Sequence, residues 1–202
     1  MRTGYLAFFW LLFASAPGAA VELDFEIVRT LEDLSLPVPD PANPVVCHGF
    51  GCAYRTPILL RNADRAKLMQ LFGRAAAKSA DSERKAVAEA MAWFEKRVAM
   101  EAGTAKAMAR AGLGHAGDPS QFDCLDKTAN TIGLLAVIEQ MGLLRHHQID
   151  VPESRMGLSS LPHTTAVVRE RRSGQKWVVD GWTHNNGELP DVMPLETWFS
   201  QS

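Results

Sequence analysis

Helical periodicity fills the middle of this 202-residue chain and strand composition its last third, and the change after Gly142 restricts the folds open to it. Leu68, Leu71 and Phe72 share one face of a helix expected from about Ala63 to Lys78, with Asn62 as its cap. Val87, Met91, Phe94, Val98 and Ala102 recur at three- and four-residue spacing and predict a second helix from about Glu83 to Ala111. A third runs through Ile132, Leu135, Ile138 and Met141 to a stop at Gly142. After a polar connector, His163 to Val168 and Lys176 to Asp180 have strand composition, and the turn Arg171-Arg172-Ser173-Gly174 joins them as a hairpin. Met193 to Phe199 reads as a short closing helix. Helices followed by antiparallel strands make an α+β domain, with the third helix packed on the sheet and no parallel βαβ unit. Upstream, Val21 to Arg29 and Tyr54 to Leu60 read as short strands, separated by the extended stretch that Pro37, Pro39, Pro41 and Pro44 enforce. No internal repeat or second boundary is visible, so residues 21–202 are expected to form one domain.

The first twenty residues differ from the rest. Arg2 is their only charge, Tyr5 to Ala16 is an apolar run, and Pro17-Gly18-Ala19-Ala20 is small or turn-forming. This is the layout of a secretory signal peptide over residues 1–20, with Val21 as the mature start and a periplasmic or secreted destination. An uncleaved anchor is the alternative, although the run is short of the roughly 20 residues a span needs. No later stretch is long enough to cross a bilayer, so no stable membrane insertion is expected after cleavage. Net charge is −2, from 21 basic and 23 acidic residues, which argues against a nucleic-acid partner.

Export changes how the three cysteines read. Cys47 and Cys52 bracket His48-Gly49-Phe50-Gly51, whose glycines let the chain fold back, and an oxidising compartment permits a local disulfide between them. A metal held by both thiols and His48 is the alternative, with a long ligand spacing and no second ligand pair; no metal or other cofactor is expected. Cys124 is left as the free thiol.

Cys124 sits near a helix start. Asp118-Pro119-Ser120-Gln121 satisfies the rules for an N-terminus, and Asp123 is an alternative cap one turn later. Helix N–H groups and dipole favour a thiolate there. A nucleophilic Cys also needs an imidazole to take its proton and a polar group to orient that imidazole. His163 opens one hairpin strand and Asp180 closes the other. A four-residue loop at 171–174 sets Asp180 opposite Thr165, two residues from His163 on the same face and within side-chain reach; a two-residue loop moves it opposite Val167, too far. Each residue also has an ordinary explanation: Cys124 as core filler, His163 as a surface histidine, Asp180 as turn chemistry before Gly181. It is their joint order that points to a catalytic triad. Asp123 and Asp126 oppose thiolate formation, so His163, the helix start and Lys127 are expected to outweigh them.

Phe122-Asp123-Cys124-Leu125-Asp126, Pro162-His163-Thr164-Thr165-Ala166 and Trp177-Val178-Val179-Asp180-Gly181-Trp182 resemble, in that order, the Cys, His and Asp segments of bacterial transglutaminase-like cysteine peptidases. The resemblance spans about Gln121 to Trp182. It departs at Leu125, where the family often has an acidic or aromatic residue, and at Phe122, where it often has Gly. It implies a transglutaminase-like (papain-like) fold and amide-bond chemistry through an acyl-thioester on a protein or peptide. Cys124 would be the nucleophile, His163 the base and then acid, and Asp180 the orienter, with the Cys124 N–H and the Gln121 side chain as oxyanion donors. A cell-wall peptide amidase of NlpC/P60 type shares the Cys-then-His order, though its third residue is often His. A non-catalytic binding or assembly module could keep the same fold, with Trp182, His184, Asn185 and Asn186 as contact residues. Asp123-Cys124-Leu125-Asp126-Lys127-Thr128-Ala129-Asn130 also resembles the loop of Sac-type lipid phosphatases, but that chemistry needs Cys where Gln121 stands and Arg where Lys127 stands, so this reading is rejected.

Overall fold

The computed structural model describes residues 23–73, 76–156 and 162–201; residues 1–20, read above as a signal peptide, lie outside them. The order is α1 (Phe25–Asp33), β1 (Val45–His48), β2 (Tyr54–Pro57), α2 (Asn62–Leu71), α3 (Ala80–Ala102), α4 (Cys124–Gln140), β3 (His147–Met156), β4 (Pro162–Glu170), β5 (Lys176–Asp180), β6 (Asp191–Pro194) and α5 (Leu195–Phe199). The architecture is α+β. β1 and β2 pair with each other, and β3-β4-β5-β6 form an antiparallel meander. No helix among the described residues is long and apolar enough to cross a membrane.

The first expected strand is a helix. Asp24 caps α1 by accepting from Glu26 N at 2.9 Å, and Ile27 and Leu31, four residues apart, are its buried face. α2 ends at Leu71, well short of Lys78. The stripe expected on α3 is buried as a unit, but the helix is shorter at its C-terminus than expected. Gly103 takes the left-handed conformation (φ 73°) and ends it, so residues 104–111 form an irregular segment instead of another two turns.

α4 is buried along most of its length and packs against β4 and β1. Of the two candidate starts, Asp123 is used. Its carboxylate accepts Asp126 N at 2.7 Å, and the Asp126 carboxylate accepts Asp123 N at 3.2 Å, a reciprocal capping box. Asp118 instead holds a turn through Ser120 N and Oγ. Cys124 is therefore the first residue of the helix.

The hairpin has the four-residue loop. Glu170 N donates to Gln175 O at 2.8 Å and Arg169 pairs with Lys176; the same register continued sets Asp180 opposite Thr165. Ala166, Val168 and Val179 face the main core with α4, whereas Val167 and Val178 face Trp198 of α5. By strand alternation His163 and Asp180 lie on the Trp198 side. α4 and the His–Asp pair thus occupy opposite faces of the sheet and meet at its end.

Cys47 and Cys52 form a disulfide. This removes the metal alternative, since both sulfurs are used and both His48 ring nitrogens have partners in Pro119 O (2.6 Å) and Thr56 Oγ1 (2.9 Å). Residues 49–52 all have positive φ. At Gly49 an added Cβ would strike the Tyr54 ring, so glycine is required there. The run turns successive N–H groups inward as an anion nest. Phe50 N and Cys52 N donate to Asp126 at 2.8 and 2.7 Å, and Gly51 N to Asp123 at 2.8 Å. Removing the bridge by Cys52→Ala is expected to cost about 2 kcal/mol of stability for so short a loop, read as a lower urea midpoint. An unchanged midpoint would show that the nest holds the loop without the bridge.

Candidate active site

A cleft of about 920 Å³ opens where the N-terminus of α4 meets the end of the sheet. Cys124, His163 and Asp180 all line it. His163 and Asp180 are buried, and His163 Nε2 donates to Asp180 Oδ2 at 2.6 Å. An ionised carboxylate only accepts, so the imidazole proton is assigned to Nε2 and Nδ1 carries the lone pair. Nδ1 is buried and has no hydrogen-bond partner among the described residues.

Asp180 also accepts Trp198 Nε1 at 2.9 Å and Trp182 N at 3.2 Å. Burial pushes its pKa up, but His163 and these donors outweigh burial, and its carboxyl is held below the usual range. The imidazole is flanked by two indoles, Trp182 at 4.7 Å and Trp198 at 5.5 Å between ring centroids. Trp198 sits in the tail, where only a short closing helix was expected; a lone Trp in such a helix signals anchoring but gives no hint of its target.

The thiol is close to this pair but not bonded to it. Cys124 Sγ donates to Pro162 O, the neighbour of His163, at 3.9 Å, and no hydrogen bond joins it to the imidazole. Burial raises the thiol pKa to about 11; the Thr164 N–H opposes this, and the charges of Asp123 and Asp180 add to it. Lys127 does not offset those charges. Its ammonium is paired with Glu95 at 2.6 Å beneath the site, where Glu95 also accepts Gly187 N at 2.7 Å. Burial, then the Asp123 charge, push Asp126 up to about 7 against its backbone donors.

The Gln121 side chain, an oxyanion candidate in the sequence, is engaged away from the cleft. It accepts Met108 N at 3.0 Å and donates to Ser120 Oγ at 3.3 Å, and it does not line the cleft. The irregular segment that begins where α3 stops captures it. The same segment fixes the loop after β5: Arg110 N donates to Trp182 O, Ala109 N to Asn185 Oδ1, and Asn186 N to Ala107 O. Asn185 and Asn186 are thereby tied to the body of the protein, while Trp182 forms cleft wall. Arg155, Trp198 and Thr164 also line the cleft and were not singled out in the sequence.

The arrangement offers a thiol, a base with an available lone pair, a buried carboxylate fixing that base, and a helix N-terminus whose first N–H groups lack intrahelical partners. Comparison of the chain with protein-family models, with curated proteins and with solved structures gives no match.

Proposed function

We propose that the protein is a thiol-dependent amide-bond hydrolase or acyl transferase of the transglutaminase-like, papain-like type, acting on a protein or peptide in the periplasm or outside the cell. The observation that carries this reading is the His163 imidazole, with its proton held on Nε2 by Asp180 and its Nδ1 unpartnered in the same cleft as Cys124. The Cys47–Cys52 bridge supports an oxidising compartment.

In the proposed reaction Nδ1 accepts the thiol proton as Sγ attacks the amide carbonyl. The Cys124 N–H at the start of α4 takes the oxyanion, the C–N bond breaks, and the imidazolium returns its proton to the departing amine. Water or a second amine then attacks the thioester, with Nδ1 again as base. A cell-wall peptide is one such substrate; in an NlpC/P60-type amidase the third residue is often His, and here it is Asp180.

A second reading, a non-catalytic module with the same fold, is favoured by one observation: the resting thiol hydrogen-bonds Pro162 O rather than the imidazole, in a setting where burial pushes its pKa up to about 11. The pH dependence of Cys124 alkylation by iodoacetamide separates the two. A catalytic pair gives a rate that levels off below about pH 9, with the plateau lost in His163→Ala. A rate that keeps climbing roughly tenfold per pH unit to about pH 10, and ignores His163→Ala, belongs to an isolated buried thiol and rejects catalysis.

A further inference from the structure

Arg155 lines the cleft and has no carboxylate within ion-pair distance among the described residues. On the sheet it is the cross-strand partner of His163. Its guanidinium lies over the Trp198 ring, 4.2 Å from the centroid, and Nη1 donates to Trp198 O. Nε is buried and makes no hydrogen bond. The side chain is thus held flat against the indole that packs on the catalytic imidazole, with donors to spare and no counter-ion. Arg110, also on the wall, makes no side-chain hydrogen bond or ion pair among the described residues.

The carboxylates of the same cleft are differently placed. Asp123 accepts Asp126 N and Gly51 N, Asp180 accepts three donors, and Asp191 accepts Thr183 Oγ1 at 2.8 Å, with His184 Nε2 3.2 Å from its other oxygen but not hydrogen-bonded to it. The acids of the wall are engaged by donors of the protein itself, whereas among the described residues its guanidiniums meet no carboxylate. An oriented guanidinium fork suits a planar carboxylate. Around it Leu113, Leu125, Met193 and Trp182 provide apolar wall for a neighbouring side chain.

Building on the amide-bond chemistry above, we infer that the cleft selects a peptide bearing a carboxylate near the reacting amide, and that Arg155 is the residue that binds it. The two sources of such a group are the C-terminal carboxylate of a peptide and an acidic side chain.

Calorimetry on the whole protein tests this without relying on thiol reactivity. The probes are N-acetyl-phenylalanylglycine with a free carboxylate, its C-terminal amide, and N-acetyl-phenylalanyl-aspartic acid α-amide, whose only carboxylate is the side chain. We expect the free acid to bind about tenfold or more tighter than the amide, and Arg155→Gln to remove that difference. Arg155→Lys, which keeps the charge but not the fork, should fall between. Tight binding of the aspartic acid α-amide instead assigns the site to an acidic side chain and leaves the role of Arg155 standing. Equal binding of all three probes to the wild-type protein overturns the inference even if neither variant folds. Iodoacetamide labelling of Cys124 in the same samples reports separately on the thiol, so the carboxylate site and the catalytic reading can fail independently.

Discussion

His163→Ala is expected to slow acyl transfer through Cys124 by about 10²- to 10⁴-fold, the contribution of a well-placed general base, and Cys124→Ala to abolish it with the fold intact. The effect should be this large because the thiol has no other route to ionisation. Without the imidazole, burial and the neighbouring acids oppose the thiolate, and Lys127 is committed to Glu95. Asp180→Asn should cost less than His163→Ala. With its oxygen in the Oδ2 position, an asparagine keeps both the His163 Nε2–H and the Trp198 N–H bonds and sets its amide against Trp182 N alone. The reversed orientation would meet two donors, so the bonding favours the first, the imidazole proton stays on Nε2, and only the negative charge facing the imidazolium is lost. The pH–rate profile of a fluorogenic peptide amide, taken for all three variants, checks this. An Asp180→Asn loss equal to that of His163→Ala would show that the tautomer had switched.

Glu83→Gln is expected to destabilise the protein by about 3–5 kcal/mol, as breaking a buried ionic network does. Glu83 is fully buried on α3 and accepts from Arg145 N, His146 N, His147 N and His147 Nδ1 at 2.7–3.1 Å. An amide nitrogen in place of either oxygen would face N–H groups already pointing at it, leaving donors buried without an acceptor. Burial pushes Glu83 up, but His147 and the backbone donors more than reverse this and its pKa is lowered from 4.5. A folded-state pKa below the unfolded one contributes stability that is complete above about pH 4.5 and is lost as pH falls through the folded value. Urea unfolding from pH 7 to pH 3 should therefore show the two proteins converging at low pH. A gap that stays constant would mean that Glu83 is not carrying the charge assigned to it.

The hairpin was legible because two apolar, β-branched runs flank a turn of Arg171, Arg172, Ser173 and Gly174, and alternation then fixes which residues share a face. β3 was not. Its Pro152 and polar residues read as connector, and it is a strand only because β4 lies beside it, with a register irregularity between Asp150 and Glu153 that accommodates the proline. α1 was hidden because Val21 to Arg29 is apolar enough for either period, and the cap at Asp24 is a single residue. Within the site, the His163–Asp180 contact follows from local register. The partners of Gln121 and Lys127 come from Met108 and Glu95 on other elements, and no spacing rule along the chain reports such contacts.

The meander also has a kinetic consequence. Each of its strands pairs with its sequence neighbour, so residues 147–194 can assemble through short loop closures, and the His163–Asp180 contact spans only 17 positions. The bonds from the disulfide loop to Asp123 and Asp126 span 72–76 positions. The base and its orienter are therefore expected to form before the thiol helix is locked beside them. In stopped-flow refolding, Val167→Ala and Val178→Ala should mainly slow folding, whereas Asp126→Asn should mainly speed unfolding.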